Sequence, residues 1–145
     1  MPDEPMPSKV IKDTLNSQWN SSNVTEPNYI DINDGTAPMR VDFKIQDYVI
    51  ISSDNPTETE DPIGNWTYGT RVRRVLLEVY TSNSRQRLYN LKQEIRRIMH
   101  NRLHSLSDYQ RVQYVDFNEI TDAAQRLWIG RVSISLVNDA VLLET

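Results

Sequence analysis

The sequence predicts an α+β domain, with a mixed, mainly antiparallel sheet, one long helix packed on a face of that sheet, and a short N-terminal helix. Residues 75–79 form an apolar run in which both faces of a strand are apolar, which is typical of a central strand. A polar turn then leads into a segment whose apolar residues recur at positions three and four apart. This spacing indicates a long amphipathic helix over residues 84–106.

A short helix is predicted near the N-terminus. Residues 1–7 carry three prolines and are expected to be flexible. Ser8 can cap a helix whose apolar side includes Ile11, Leu15 and Trp19. We therefore expect one domain spanning residues 8–145, because a chain of 145 residues usually forms a single domain.

The remaining elements are predicted strands separated by polar segments. Alternating or β-branched patterns predict strands near residues 29–32, 39–45, 47–51, 71–81, 111–117 and 126–137. Residues 52–69 contain two prolines, two glycines and four acidic residues, so a long loop is predicted there. The stripe of the long helix is expected to form the core against residues 75–79. Its members are Leu88, Leu91, Ile95, Ile98, Met99, Leu103 and Leu106.

Composition excludes several classes of protein. The chain has no cysteine, so disulfides and thiol chemistry are absent, and no apolar run approaches the roughly 20 residues that span a bilayer. Net charge is −4, but it is unevenly distributed: −8 in residues 1–70, +7 in residues 71–111 and −3 in residues 112–145. A basic block of this kind can bind a polyanion or the acidic surface of an identical neighbour. We favour the neighbour, because the acidic excess is on the same chain.

No catalytic, cofactor or metal residues are assigned from the sequence. None of the four glycines lies in a phosphate-binding motif. His100 and His104 have the i, i+4 spacing of a metal pair, but no third ligand is apparent, and solvated histidines at a helix end are the simpler interpretation. Asp61 and Glu78 could suggest a metal-dependent nuclease, yet Tyr80 stands where such a site needs a lysine. The chain is therefore not expected to be an enzyme.

Five residues are candidates for a subunit interface. Arg71 and Arg73 alternate along a predicted strand and are followed by Arg74. This basic ridge can contact phosphate, form salt bridges to a neighbouring subunit or lie at a solvated strand edge. Trp66 and Tyr68 can either pack back on the sheet or face a partner.

The layout of residues 47–138 resembles the tail-terminator and neck (head-tail joining) proteins of tailed viruses. The similar features are the acidic segment after a strand, the Val-Leu-Leu-Glu-Val strand at 75–79, the helix containing Leu91 and Ile95, and the closing strand that begins at Trp128. The short helix at Val10–Trp19 also fits the resemblance. No individual functional residue is carried over from the family.

The resemblance implies a structural virion protein that is assembled in the host cytoplasm. Such a subunit would form a homo-oligomeric ring, typically a hexamer, at the head-proximal end of the tail. It would contact the tail tube protein and the head connector or adaptor, and genomic DNA would pass through the lumen without sequence-specific binding. Two alternatives remain open: a head-completion or adaptor neck protein, and a nucleic-acid-binding module that uses the basic block at residues 71–111.

Overall fold

The computed structural model describes residues 6–32, 46–63, 68–101, 111–122, 124 and 126–141, with the backbone alone at residues 52–63, 68–71, 117 and 138–141. Two helices and five strands follow one another along this part of the chain. They are α1 (Pro7–Gln18), β1 (Asn28–Asp31), β2 (Tyr48–Ile63), β3 (Tyr68–Thr81), α2 (Arg85–Asn101), β4 (Arg111–Asp122) and β5 (Leu127–Val141).

The five strands form one sheet in the order β1-β2-β3-β5-β4. Only β1 and β2 are parallel, whereas the pairs β2–β3, β3–β5 and β4–β5 are antiparallel. Because β3 pairs on both sides, it is a central strand, as its sequence predicts. The α+β class with a mixed, mainly antiparallel sheet is confirmed.

Both helices cover the same face of the sheet. The odd-numbered residues Val75, Leu77 and Val79 of β3 are fully buried on that face. The predicted stripe of α2 packs against them, and its described members are all buried: Leu88, Leu91, Ile95, Ile98 and Met99. Ile11 and Leu15 of α1 belong to the same core. The helix stripe is thus confirmed as core over its described length.

Helix α2 begins with a side-chain cap. The hydroxyl Oγ of Ser84 accepts a hydrogen bond from the backbone N–H of Arg87 at 3.1 Å, which satisfies one of the free N–H groups of the first turn. The end of the described helix, Asn101, precedes the residues 102–110 that lie outside the described part of the chain. The predicted extension to Leu106 is therefore not tested.

The predicted loop at residues 52–69 is wrong over most of its length. Strand β2 continues to Ile63 and β3 begins at Tyr68, so the two form a long hairpin. The register places Glu58 opposite Arg73 and Glu60 opposite Arg71, and opposite charges at facing positions stabilise an antiparallel pair. The shift in register between Asp54 and Glu58 spans Pro56, which is the position in a strand that tolerates proline. Residues 64–67 lie outside the described residues.

Two other predicted boundaries also change. The first helix begins at Pro7, two residues before the start expected after a Ser8 cap, because proline is pre-organised for the first helical turn. Ser8 is buried inside the helix instead of capping it. Strand β4 continues to Asp122 through an irregularity at Phe117, where a polar connection was expected. Residues 1–5 and the predicted strand at 39–45 lie outside the described residues.

Polar contacts join α2 to the start of β2 and to the segment after α1. Asp47, immediately before β2, accepts hydrogen bonds from Arg87 Nε at 2.7 Å and from Thr81 Oγ1 at 2.6 Å. Glu94 of α2 is buried and accepts from Arg97 and from Asn23 Nδ2, the latter at 3.0 Å. Each carboxylate is therefore compensated by two donors, as burial of charge requires.

Candidate functional site

The surface that stands out beside the hydrophobic core is a cleft between the second half of α2 and the start of β4. Its volume is about 550 Å³, which is the size of a small-ligand or side-chain pocket. Its floor includes Met99 and Val112, both nearly fully buried, and the partly exposed Val137. Arg96 and Arg111 are exposed at its rim. The cleft thus combines an apolar floor with a basic rim. We call it the α2–β4 cleft.

Tyr114 and His100 complete the lining of the α2–β4 cleft. The hydroxyl of Tyr114 donates to the backbone carbonyl of Lys92 at 3.4 Å, which holds the ring against the helix. The pKa of Tyr114 is raised, mainly because burial disfavours the phenolate and also because Asp116 is close, while Arg96 opposes the rise. Arg96 has no hydrogen bond or ion pair to another residue of the described chain.

A buried lysine holds β4 in position beside this cleft. Lys92 lies on the flank of the apolar stripe, four residues after Leu88 and three before Ile95. Only 7% of its side chain is exposed, and its Nζ is 2.9 Å from Asp116 Oδ2. Gly130 of β5 makes room for it, because a Cβ at that position would lie 2.9 Å from Lys92 Cδ and 3.2 Å from Leu88 Cδ1. The lysine stem therefore crosses β5 at the glycine and reaches the edge strand, so the ion pair ties α2 to β4.

A second ion pair joins α2 to β4 at the other end of the helix. Arg85 Nη2 is 3.2 Å from Glu119 Oε2, and Arg85 is exposed. The hydrogen bond from Arg85 lowers the pKa of Glu119, and the same contact raises the pKa of Arg85. Because the pair is solvated, it is expected to orient the strand more than it stabilises the fold.

The face of the sheet opposite the helices is mixed in character. Ile50, Leu76 and Ile129 are half-buried there. Between them, Arg131 Nε lies 3.6 Å from Glu78 Oε2, which also accepts a hydrogen bond from the Tyr80 hydroxyl at 2.9 Å. No helix of the described chain covers this face. We call it the outer face.

The predicted interface residues are distributed over both faces of β3. Arg73 is partly buried and lies opposite Leu136 of the helix-covered face, whereas Arg74 is exposed opposite Ser135 of the outer face. The backbone of Arg71 lies opposite Asn138, and that of Tyr68 opposite Val141. Trp66 lies outside the described residues. Because β3 is central, the interpretation of its arginines as a solvated strand edge is wrong.

The two carboxylates considered for a metal-dependent nuclease lie far apart along the sheet. Glu78 and Asp61 are on neighbouring strands, but Asp61 faces Thr70, eight positions from Glu78 along β3. At the rise of a strand this separates them by roughly 26 Å. His100 is exposed on α2, and His104 lies outside the described residues. Within the described chain, no group of three or more acidic, histidine or cysteine side chains is arranged to hold a metal ion.

Sequence reasoning identified the basic block but not its most prominent surface. Arg96 and His100 are one helical turn apart on the side of α2 away from the apolar stripe, which is a usable signal. Arg111 is distant in sequence and adjoins them only because β4 returns beside the helix. Among the helices that the structure describes, none has the length and apolarity needed to cross a membrane.

Comparisons with known proteins give a similar fold but no sequence relative. No protein-family model matches the chain, and no curated protein matches it by sequence. Sixteen solved chains match in structure. One of them is a chain from the virion of a native gene transfer agent particle, with a TM-score of 0.64 and 8% sequence identity; the match covers 93% of this chain and 96% of that chain. At this identity the likeness shows a shared fold.

Proposed function

We propose that this protein is a structural component of a virion, a tail-terminator-like subunit that forms a ring at the head-proximal end of a tail. One observation carries the proposal: the shared fold spans nearly the whole of both this chain and a chain of the gene transfer agent virion. A fold-level likeness over full length restricts the architecture, and the role itself is inferred by analogy. In this role the protein acts by binding, without catalysis or a cofactor.

Two features of the chain are consistent with an assembly role. Charge is segregated along the sequence, with −8 in residues 1–70 and +7 in residues 71–111, so identical subunits can meet through unlike surfaces. Such heterologous contacts close into a ring when the rotation between subunits permits. The proposed partners are a second copy in a hexameric ring, the tail tube protein and the head connector, with genomic DNA passing through the lumen.

The proposal is tested by locating the protein and measuring its assembly. Mass spectrometry of purified virions should detect it in the tail and neck fraction. Native mass spectrometry of the isolated protein, or of protein mixed with tail tubes, should show a discrete ring mass, and particles lacking the protein should have unjoined tails. A protein absent from virions, or one that stays monomeric with tail tubes, would contradict the proposal.

The alternatives make different predictions in the same experiments. A head-completion or adaptor subunit cross-links to the portal ring and leaves tail length unaffected when it is deleted. A nucleic-acid-binding module is favoured by the cationic rim of the α2–β4 cleft, and it would bind DNA with an affinity that falls steeply with salt. Affinity for DNA at near-physiological salt, without ring formation, would favour the nucleic-acid-binding module over the ring-forming subunit.

A further inference from the structure

We infer that β4 is the contact strand of a two-fold dimer, in which it pairs antiparallel with β4 of a second copy. The inference goes beyond the proposed ring, whose contacts are head-to-tail, because a two-fold contact joins two subunits through the same strand of each. β4 forms one edge of the sheet, since it pairs with β5 and with no other strand of the described chain. The outward N–H and C=O groups of such an edge can bind a further strand.

The side chains of β4 are accessible on both faces of the sheet. Val115 is 40% exposed and Ile120 is 36% exposed. Both are on the outer face, since they lie opposite Ser133 and Ile129. Asp116 is exposed on the helix-covered face. Exposure on both faces indicates that the edge of β4 is open to a further strand.

β4 lacks most of the features by which natural edge strands resist pairing. Such strands are typically short, or they contain lysine, proline or inward-pointing charge. β4 has twelve residues, Arg111–Asp122, and none of them is lysine, proline or glycine. Its central carboxylates, Asp116 and Glu119, are on the helix-covered face, and each is paired with a cation of its own subunit, Lys92 or Arg85. The outer side of the strand is therefore uncharged between its ends, and two copies can meet there without repulsion.

The apolar residues of β4 are placed symmetrically about its irregularity. The register shift between Asp116 and Asn118 keeps Val115 and Ile120 on one face, although they are five residues apart. In an antiparallel pair centred at this point, Val115 of each copy lies opposite Ile120 of the other. Both strands carry the same extra residue, so neither strand has an unmatched one. The register also places Asp116 opposite Glu119, and each carboxylate keeps its own cation. One contact is thus made twice, as two-fold symmetry requires, and the fitting occupant is a second copy.

Cysteine substitution tests the contact and its register. The chain has no cysteine, so Val115→Cys and Ile120→Cys each introduce a single thiol. Facing residues of an antiparallel pair have Cα atoms about 4.5–5.5 Å apart, within reach of a disulfide. Under mild oxidation, a 1:1 mixture of the two variants should form a covalent dimer. Each variant alone should form at least tenfold less, because identical positions are displaced by roughly 13 Å along the strand. Ile32→Cys, exposed beyond β1 at the other edge of the sheet, is the control and should not cross-link with either variant.

Two further measurements address the dimer without a covalent bond. Ile120→Lys should weaken it at least tenfold in sedimentation equilibrium, because lysine on an edge strand opposes the addition of another strand. The matched control, Ile32→Lys, makes the same substitution at the opposite edge and should leave the dimer unchanged. In the unmodified protein, amides of β4 should gain protection from hydrogen exchange as the protein concentration rises. Amides of β3 should not, because β3 is already paired on both sides.

The outcomes separate this contact from the proposed function. If neither the cross-link nor the concentration-dependent protection is found, while the protein forms rings and joins tails, the two-fold contact is wrong and the function stands. Equal cross-linking of the single variants and the mixture would overturn the antiparallel pairing of β4. A dimer that is dissociated by Ile32→Lys but not by Ile120→Lys would assign the contact to the other edge and overturn the inference as well. If the dimer forms as described but the protein is absent from virions, the inference stands and the proposed function fails. Circular dichroism of each variant verifies that the subunit remains folded.

Discussion

The two faces of the sheet use the same strands in different ways. On the helix-covered face, Val75 and Leu77 are fully buried, and the buried Lys92 of the helix is paired with Asp116. On the outer face, Leu76 alternates with them but stays half-exposed, and a partly buried ion pair between Arg131 and Glu78 lies at its centre. Alternation along one strand therefore separates a surface that defines the fold from a surface that is left for contacts.

The comparison shows where a substitution should be costly and where it should be tolerated. A core position loses the transfer energy of its methyl groups and also leaves a cavity, whereas a half-exposed position loses only part of its burial. The cost of removing the partner of a charged group also depends on burial, because a buried ammonium left unpaired is destabilising and a solvated one is hydrated by water. The outer face can consequently change its chemistry with little effect on the fold.

The largest effect is expected at the centre of the covered face. Ile95→Ala should lower the free energy of unfolding by about 2–5 kcal/mol, because Ile95 is fully buried between α2 and the sheet. The matched variant on the outer face, Leu76→Ala, should cost about 1 kcal/mol or less. Urea denaturation monitored by circular dichroism measures both. Equal costs for the two variants would mean that the faces do not differ as described.

Replacing either partner of the buried Lys92–Asp116 ion pair should lower stability, but by unequal amounts. Asp116→Asn leaves the ammonium of Lys92 buried beside a neutral acceptor, so a loss of roughly 1–3 kcal/mol is expected. Lys92→Met keeps most of the packing and leaves Asp116, whose side chain is 41% exposed, to be hydrated, so its cost should be smaller. Chemical denaturation of the two single variants decides the order. A larger loss for Lys92→Met would indicate that the carboxylate of Asp116, and not the ammonium of Lys92, is the group that most needs its partner.

A smaller loss of stability is expected on substitution of Gly130, where β5 leaves room for the side chain of Lys92. Gly130→Ala brings a methyl group to 2.9 Å from Lys92 Cδ, and the stem must shift, at a cost of about 1 kcal/mol. If the strain arises from that contact, most of the cost should disappear in a Lys92→Ala background. A double-mutant cycle of thermal unfolding measures this coupling, and purely additive costs would assign the strain elsewhere.

The smallest effect concerns an ionisable group of the outer face. Burial, assisted by the hydrogen bond to Glu78, raises the pKa of Tyr80 from its ordinary value of 10 to about 12. A raised pKa in the folded state means that the contribution to stability is complete below pH 10 and is lost as the pH rises from 10 to 12. Tyr80→Phe should therefore make the loss of stability over this window shallower, although Tyr29 and Tyr114 also have raised pKa values. An unchanged slope in alkaline unfolding would place Tyr80 in contact with water.

The helix-covered face could be predicted from the sequence because the patterns that indicate it are local. The 3-4 spacing through Leu91 and Ile95 and the apolar run at 75–79 each follow from the geometry of one element, and both predictions are confirmed. The end of β2 was missed because its prolines and acidic residues are typical of loops. Its partner is a basic strand reached only after the turn, so its stability depends on pairing between strands and not on local propensity.

The candidate site was only partly predictable for the same reason. The positive charge of residues 71–111 is visible in composition, but the α2–β4 cleft exists only where β4 returns beside the helix. Arg71 and Arg73 occupy alternate positions of β3, as the predicted ridge requires, whereas Arg74 lies on the opposite face of the strand from Arg73. Lys92 lies on the flank of the helical stripe and only its charge suggests a surface residue; the room for its buried stem comes from a glycine 38 positions later in the chain.

The uninterrupted pairing of β3 with β5 has a mechanical consequence. Fourteen successive residues, Tyr68–Thr81, face fourteen residues of β5 without a break in register. A force applied along these strands would act on the whole ladder at once, in shear, whereas a force across them would open it one pair at a time. The ladder continues from the helix-covered region into the β2–β3 hairpin, so a pull on the hairpin would be transmitted to the core as a load along the strands. A subunit built in this way is expected to resist tension best along the direction of its central strand.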